Sequence, residues 1–130
     1  MKKVMVLFLA VVTIICFAAA GFAEVDKDAI KKLVDEIVVA IDGGKTADDF
    51  KDAAKKEPYY AFIMQEDGMM LVHPSLMGKL VKESMAPIYQ ALIKATPAGG
   101  WVDYEWQGKM KHSYVKKTKG GLIVGSGYSD

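Results

Sequence analysis

Arginine is missing from this chain of 130 residues: all 17 basic side chains are lysine. A bidentate guanidinium clamp on a carboxylate or phosphate is therefore excluded. Any anion has to be met by lysine, histidine, hydroxyls or backbone N–H groups. Cysteine is nearly as scarce. The one thiol, Cys16, lies inside an apolar N-terminal run, so residues 24–130 can hold no intramolecular disulfide and no CxxC redox pair. Ile14 and Ile15 stand before Cys16, where a lipoprotein signal wants small residues, and this excludes a lipid anchor there. The two histidines, His73 and His112, are not spaced as a metal pair, and no HExxH accompanies them. Asp67-Gly68 lacks the acidic repeat of a calcium loop. No metal or other cofactor is expected. Positive charge is not in excess either. The formal net charge is +1, and setting residues 1–23 aside removes Lys2, Lys3 and no acid, which leaves about −1. The basic run 109–119 is short and reads as lysines guarding a strand edge. Nucleic acid is not expected as a partner.

What is present begins with Lys2-Lys3, an apolar stretch and the small residues Gly21 and Ala23. This is a secretory leader pattern, residues 1–23, with cleavage after Ala23. Residues 4–23 are also about long enough to span a bilayer, so an uncleaved anchor is the rival reading. Either reading places residues 24–130, one domain by length, outside the cytoplasm as a periplasmic or secreted module.

Ile30, Leu33, Val34, Ile37, Val38 and Ile41 recur at helical spacing, which predicts a helix over 25–41 stopped by Gly43-Gly44. Thr46, followed by Asp48 and Asp49, caps a second helix through Lys56. Residues 59–64 and 69–73 read as strands joined by a two-residue turn at Asp67-Gly68. That pairing puts Tyr60, Phe62, Met64, Leu71 and His73 on one face. A helix is expected over 83–95, with Pro87 near its start, then strands over 101–107, 110–117 and 122–128. The fold class is α+β: a long N-terminal helix on a five-stranded, mostly antiparallel sheet with a helical crossover.

The stretch "GGWVDYEWQGKMKHSYV" alternates aromatic and charged residues with a period of two. A turn with Gly108 first pairs Trp106 with Lys111, Tyr104 with Ser113 and Val102 with Val115. One face then carries Val102, Tyr104, Trp106, Lys111, Ser113 and Val115. If that face is covered, the Lys111 ammonium needs a partner, and no acid of the hairpin shares its face. A small carboxylate ligand would supply the charge, with Tyr104 and Trp106 as further donors. The ordinary alternatives are that Lys111 snorkels to water or makes a cation–π contact. Catalysis is not expected. Asp103 and Glu105 lie on the opposite face, no nucleophile–base spacing stands out, and Ser126 sits in the last strand without a following helix.

Four motifs in order carry a family resemblance: "DGMMLVHPSLMGK" (67–79), "GGWVDYEW" (99–106), "KHSYV" (111–115) and "LIVGSGYSD" (122–130). Together with the long helix before them, they make residues 24–130 resemble the extracytoplasmic single Cache domains of chemoreceptors and sensor kinases. The resemblance implies a PAS-like fold with a pocket between sheet and crossover that binds small organic acids of the acetate, propionate, pyruvate or lactate type. It places His73, Leu76, Met77, Tyr104, Trp106 and Lys111 at that pocket. Receptors of this kind continue into a membrane helix and a signalling module, whereas this sequence stops at Asp130. A free-standing secreted binding module is the expectation. The alternative is a ligand-free module that docks on a membrane receptor or sensor kinase. A weak homodimer through the N-terminal helix is the oligomer the resemblance suggests.

Overall fold

The computed structural model describes residues 24–130; the expected leader and Cys16 lie outside them. Helix α1 (Lys27–Asp42) starts where the Asp26 carboxylate accepts from the Ala29 N–H at 3.0 Å. It ends at Gly43, whose N–H bonds back to Val39 and Ala40 carbonyls. Ile30, Val34, Ile37 and Val38 form its buried stripe. Asp26 N–H also donates to the Tyr59 hydroxyl at 2.8 Å, which ties the start of α1 to the segment entering the first strand.

The second helix departs from expectation. Residues Ala47–Lys55 form a 3-10 run interrupted at Phe50 (φ −114, ψ 17), whose ring packs against the cluster around α1. Thr46 does begin it, with its N–H held by the Asp49 carboxylate at 2.9 Å.

Five strands follow the helical segments: β1 (Ala61–Met64), β2 (Met70–Val72), β3 (Gly100–Trp106), β4 (Lys109–Lys117) and β5 (Ile123–Ser129). Their order across the sheet is β2-β1-β5-β4-β3, and all four neighbouring pairs are antiparallel. β2 would be a bare edge, but the segment after it folds back. Met70 N–H donates to the Lys79 carbonyl and Gly78 N–H to the Met70 carbonyl, at 2.9 and 2.7 Å.

Two turns differ from the sequence reading. The β1–β2 loop holds three residues, not two. Gly68 N–H bonds the Gln65 carbonyl, Gly68 takes φ 96, and Gln65 N–H bonds the Met69 carbonyl. This is a three-residue hairpin loop closed by a left-handed glycine. A bulge at Leu71 then shifts the register between Met64↔Met70 and Ile63↔Val72. Met70, rather than Leu71, therefore joins Phe62 and Met64, and Leu71 packs on the α1 side. In the β3–β4 hairpin the turn is Gln107-Gly108, both at positive φ (52 and 80), so Trp106 pairs with Lys109 and Tyr104 with Lys111. The pairing slips by two residues. Since side chains alternate with a period of two, every residue keeps its face.

The crossover is two helices, α2 (Val81–Ser84) and α3 (Ala86–Leu92), rather than one over 83–95. Pro87 lies in the first turn of α3 and cannot donate to a preceding carbonyl, so the chain breaks at Met85 (φ −139, ψ 55).

The sheet divides the interior. α1 and the 3-10 run cover Ala61, Ile63, Val72 and Val124 on one side. The crossover covers Phe62, Met64, Met70, Val115 and Ile123 on the other.

Candidate functional site

Lys111 points from the start of β4 toward the crossover side of the sheet and is 3% exposed. Its Nζ donates to the Tyr60 hydroxyl and lies 4.2 Å from the Tyr60 ring centre and 5.5 Å from that of Phe62. Among the described residues no carboxylate lies within salt-bridge distance of it. Lys111 therefore does not snorkel to water. It has the cation–π contact instead, and burial pulls its pKa down from 10.5 to about 8.

Glycine on β5 makes this meeting possible. β5 lies between β1 and β4, and its residues on this face are Ile123, Gly125, Gly127 and Ser129. Phe62 lies over Gly125, where an added Cβ would come within 2.3 Å of the ring. Side chains from β1 and β4 can therefore touch across a strand that presents almost none of its own. This is what the "GSG" of the last motif does.

His73 follows β2, where Pro74 turns the chain. Its Nδ1 accepts from the N–H groups of Ser75 (3.0 Å) and Leu76 (3.1 Å). An acceptor Nδ1 carries no proton, so the neutral ring holds its proton on Nε2. Burial, then the nearby Lys111 charge, lowers its pKa from 6.5 to about 4, which keeps the ring neutral. The ring meets Tyr60 and Trp106 edge-on at 5.6 and 5.5 Å between centres. Among the described residues every fully buried side-chain nitrogen or oxygen has a hydrogen-bond partner. Among the same residues His73 Nε2 and Trp106 Nε1 have no hydrogen-bond partner, so neither is fully sealed. Both can donate to a ligand.

These groups surround a cavity of about 10 Å³ between the sheet and α3, room for about one water. His73, Leu76, Tyr104, Trp106 and Lys111 line it, five of the six residues expected at the pocket. Met77 does not. It lies one residue beyond Leu76 in the turn after Pro74, is 46% exposed, and points away from the cavity. The Tyr104 hydroxyl is already engaged with Ser113 Oγ at 2.9 Å, and burial raises its pKa above the ordinary tyrosine value. Its part is to close the wall. Tyr60, Phe62, Met70, Ile88 and Leu92 were not expected at the site, yet all but Tyr60 line the cavity and Tyr60 holds the lysine. Tyr60 and Phe62 do carry a sequence signal, since alternation puts both on one face. What alternation cannot show is that β5 brings that face beside β4.

The opposite face of the same hairpin carries a different arrangement. His112 bridges Asp103 (Nδ1, 2.7 Å) and Asp130 (Nε2, 2.8 Å), and these two hydrogen bonds raise its pKa. That cluster is remote from the cavity, on the other side of the sheet.

Among solved structures, the chain is similar to a methyl-accepting chemotaxis protein from Vibrio parahaemolyticus RIMD 2210633. The TM-score is 0.57 and the identity 17%, over 79% of this chain and 87% of that one. The extracellular domain of the histidine kinase mmHK1S-Z2 matches with TM-score 0.46 and 20% identity, over 63% of this chain and 36% of that one. The ligand binding domain of Mlp24, solved with asparagine, matches with TM-score 0.37 and 20% identity, over 55% and 28%. No protein-family model and no curated protein sequence matches the chain. The first likeness supports the fold: α+β, helices packed on both sides of a five-stranded antiparallel sheet.

Proposed function

We propose that this chain is an extracytoplasmic ligand-binding module for a small monocarboxylate, related in role to the sensor domains whose fold it shares. The observation that carries this is the Lys111 amine, buried beside a cavity with a tyrosine hydroxyl for company and no carboxylate in reach among the described residues. An unpaired buried cation is costly, and a ligand carboxylate relieves that cost by ion pairing. His73 Nε2–H and Trp106 Nε1–H supply further donors. Phe62, Leu76 and Leu92 keep water from competing.

The role is capture without chemistry: the cavity pairs no acid with a base, and His73 is held neutral with its proton fixed on one nitrogen. Affinity has a ceiling. An acid of about six heavy atoms, at no better than about −1.5 kcal/mol each, reaches roughly −9 kcal/mol, which is sub-micromolar at best. On this reading the downstream partner is a membrane receptor or sensor kinase that responds to the filled form.

Calorimetry with acetate, propionate, pyruvate and lactate tests the proposal. The wild type is expected to bind at least one of them, and Lys111→Met, which keeps the volume and removes the charge, to lose that binding by about tenfold or more. Equal binding by both proteins would take the amine out of the mechanism.

A further inference from the structure

The inner cavity has room for only about one water, and even acetate is larger than that. A second hollow lies beside it. A groove of about 240 Å³ opens at the outer end of the sheet and shares Trp106 and Lys111 with the cavity. Pro58 and Tyr60 enter it from the start of β1, Gln107 from the β3–β4 turn, and Tyr128 and Ser129 from the end of β5. Ser129 is the cross-strand partner of Lys111, so its side chain stands beside the lysine on the same face. Lysine is the only charged residue in the groove's lining.

We infer that the carboxylate of the ligand reaches Lys111 from this groove, and that the body of the acid lies in the groove against Pro58, Tyr60 and Trp106. This rests on the carboxylate reading above and sharpens it to a class, monocarboxylic acids carrying one flat apolar ring. The walls are proline and aromatic rings, which favour a flat apolar partner. The volume falls below the roughly 300–1,000 Å³ of sites for drug-sized molecules, which suits a single ring. No wall residue offers a second cation, so a dicarboxylate would leave one charge unmet. The inner cavity then has room for one small substituent of the acid or a single water.

The experiment compares phenylacetate with acetate by calorimetry on the wild type and on Ser129→Trp, an exposed strand-end position whose larger side chain fills the groove. The wild type is expected to bind phenylacetate about tenfold or more tighter than acetate, as expected when a ring is part-buried. In Ser129→Trp that ratio is expected to fall to near one. A measurement without any variant accompanies it: nuclear Overhauser contacts from the phenylacetate ring protons are expected to Pro58 and Ser129. Contacts to Leu76 and Leu92 methyls instead, an unchanged ratio in Ser129→Trp, or acetate binding without phenylacetate binding would each overturn the groove while leaving the carboxylate reading standing. If the wild type binds neither of these acids nor propionate, pyruvate or lactate, the carboxylate reading itself falls.

Discussion

A lysine amine walled in by Tyr60 and Phe62 gives up its proton more readily than a free side chain. Its folded pKa is about 8, against 10.5 for a free side chain. Below pH 8 both folded and unfolded chains hold the proton, and the folded state bears the whole cost of the buried charge. Between about 8 and 10.5 the folded amine is neutral while the unfolded one is still charged. Unfolding therefore takes up a proton in that window, and stability rises with pH across it, by about 3 kcal/mol at most. Urea titrations at pH 7.5 and 10 should show the rise in wild type and its absence in Lys111→Met. Lys111→Arg should lack it too, because a guanidinium does not shed its proton in this range. The absence of arginine noted at the outset thus matters most at this one position. The candidacy of Lys111, Tyr104 and Trp106 was legible from period-two alternation alone. Its partner Tyr60 was not, because the contact spans a strand that is distant in sequence. Leu76 and Met77 show a different limit. Adjacent in a turn, they separate to opposite environments, and a turn has no period from which to read that.

Helix α1 was readable to within two residues because its apolar spacing and its Gly43 stop agree; the Asp26 cap, which sets its true start, was not read. The hairpins were harder. Both were recognised as hairpins, but turn residues choose among loop lengths by small energy differences. The β3–β4 turn settled on Gln107-Gly108 with Gln107 at φ 52, a conformation that asparagine tolerates better than glutamine. Gln107→Asn should raise stability by about 0.5–1 kcal/mol, seen as a higher denaturation midpoint with an unchanged slope. On β5, Gly125 is required for space rather than for backbone angle. Gly125→Ala drives a methyl into the Phe62 ring and should cost about 1–3 kcal/mol by overpacking. As Phe62 also lines the cavity, acetate binding should weaken in the same variant, which calorimetry on the folded protein would reveal. The crossover misled the sequence reading for one reason, Pro87, which starts a new helix rather than extending the one before it.

Across the whole molecule the five-strand count and the α+β class were legible, but the β2-β1-β5-β4-β3 order was not. Pairing of β1 with β5 joins residues about sixty apart, and local pattern says nothing about such closures. That order gives each face of the sheet its own interior. The α1 side holds Ile63, Val72 and Val124 without a buried charge, whereas the crossover side holds Lys111, His73 and Ser113 among its apolar residues. Ile63→Ala should therefore cost about 2–5 kcal/mol of stability and leave the acetate affinity of the folded protein unchanged. Phe62→Ala, next in sequence but on the other face, should lose both; paired denaturation and calorimetry would show the split. The sheet works as a bulkhead. One compartment secures the architecture, and the other can be refitted for a different cargo without loosening the hull.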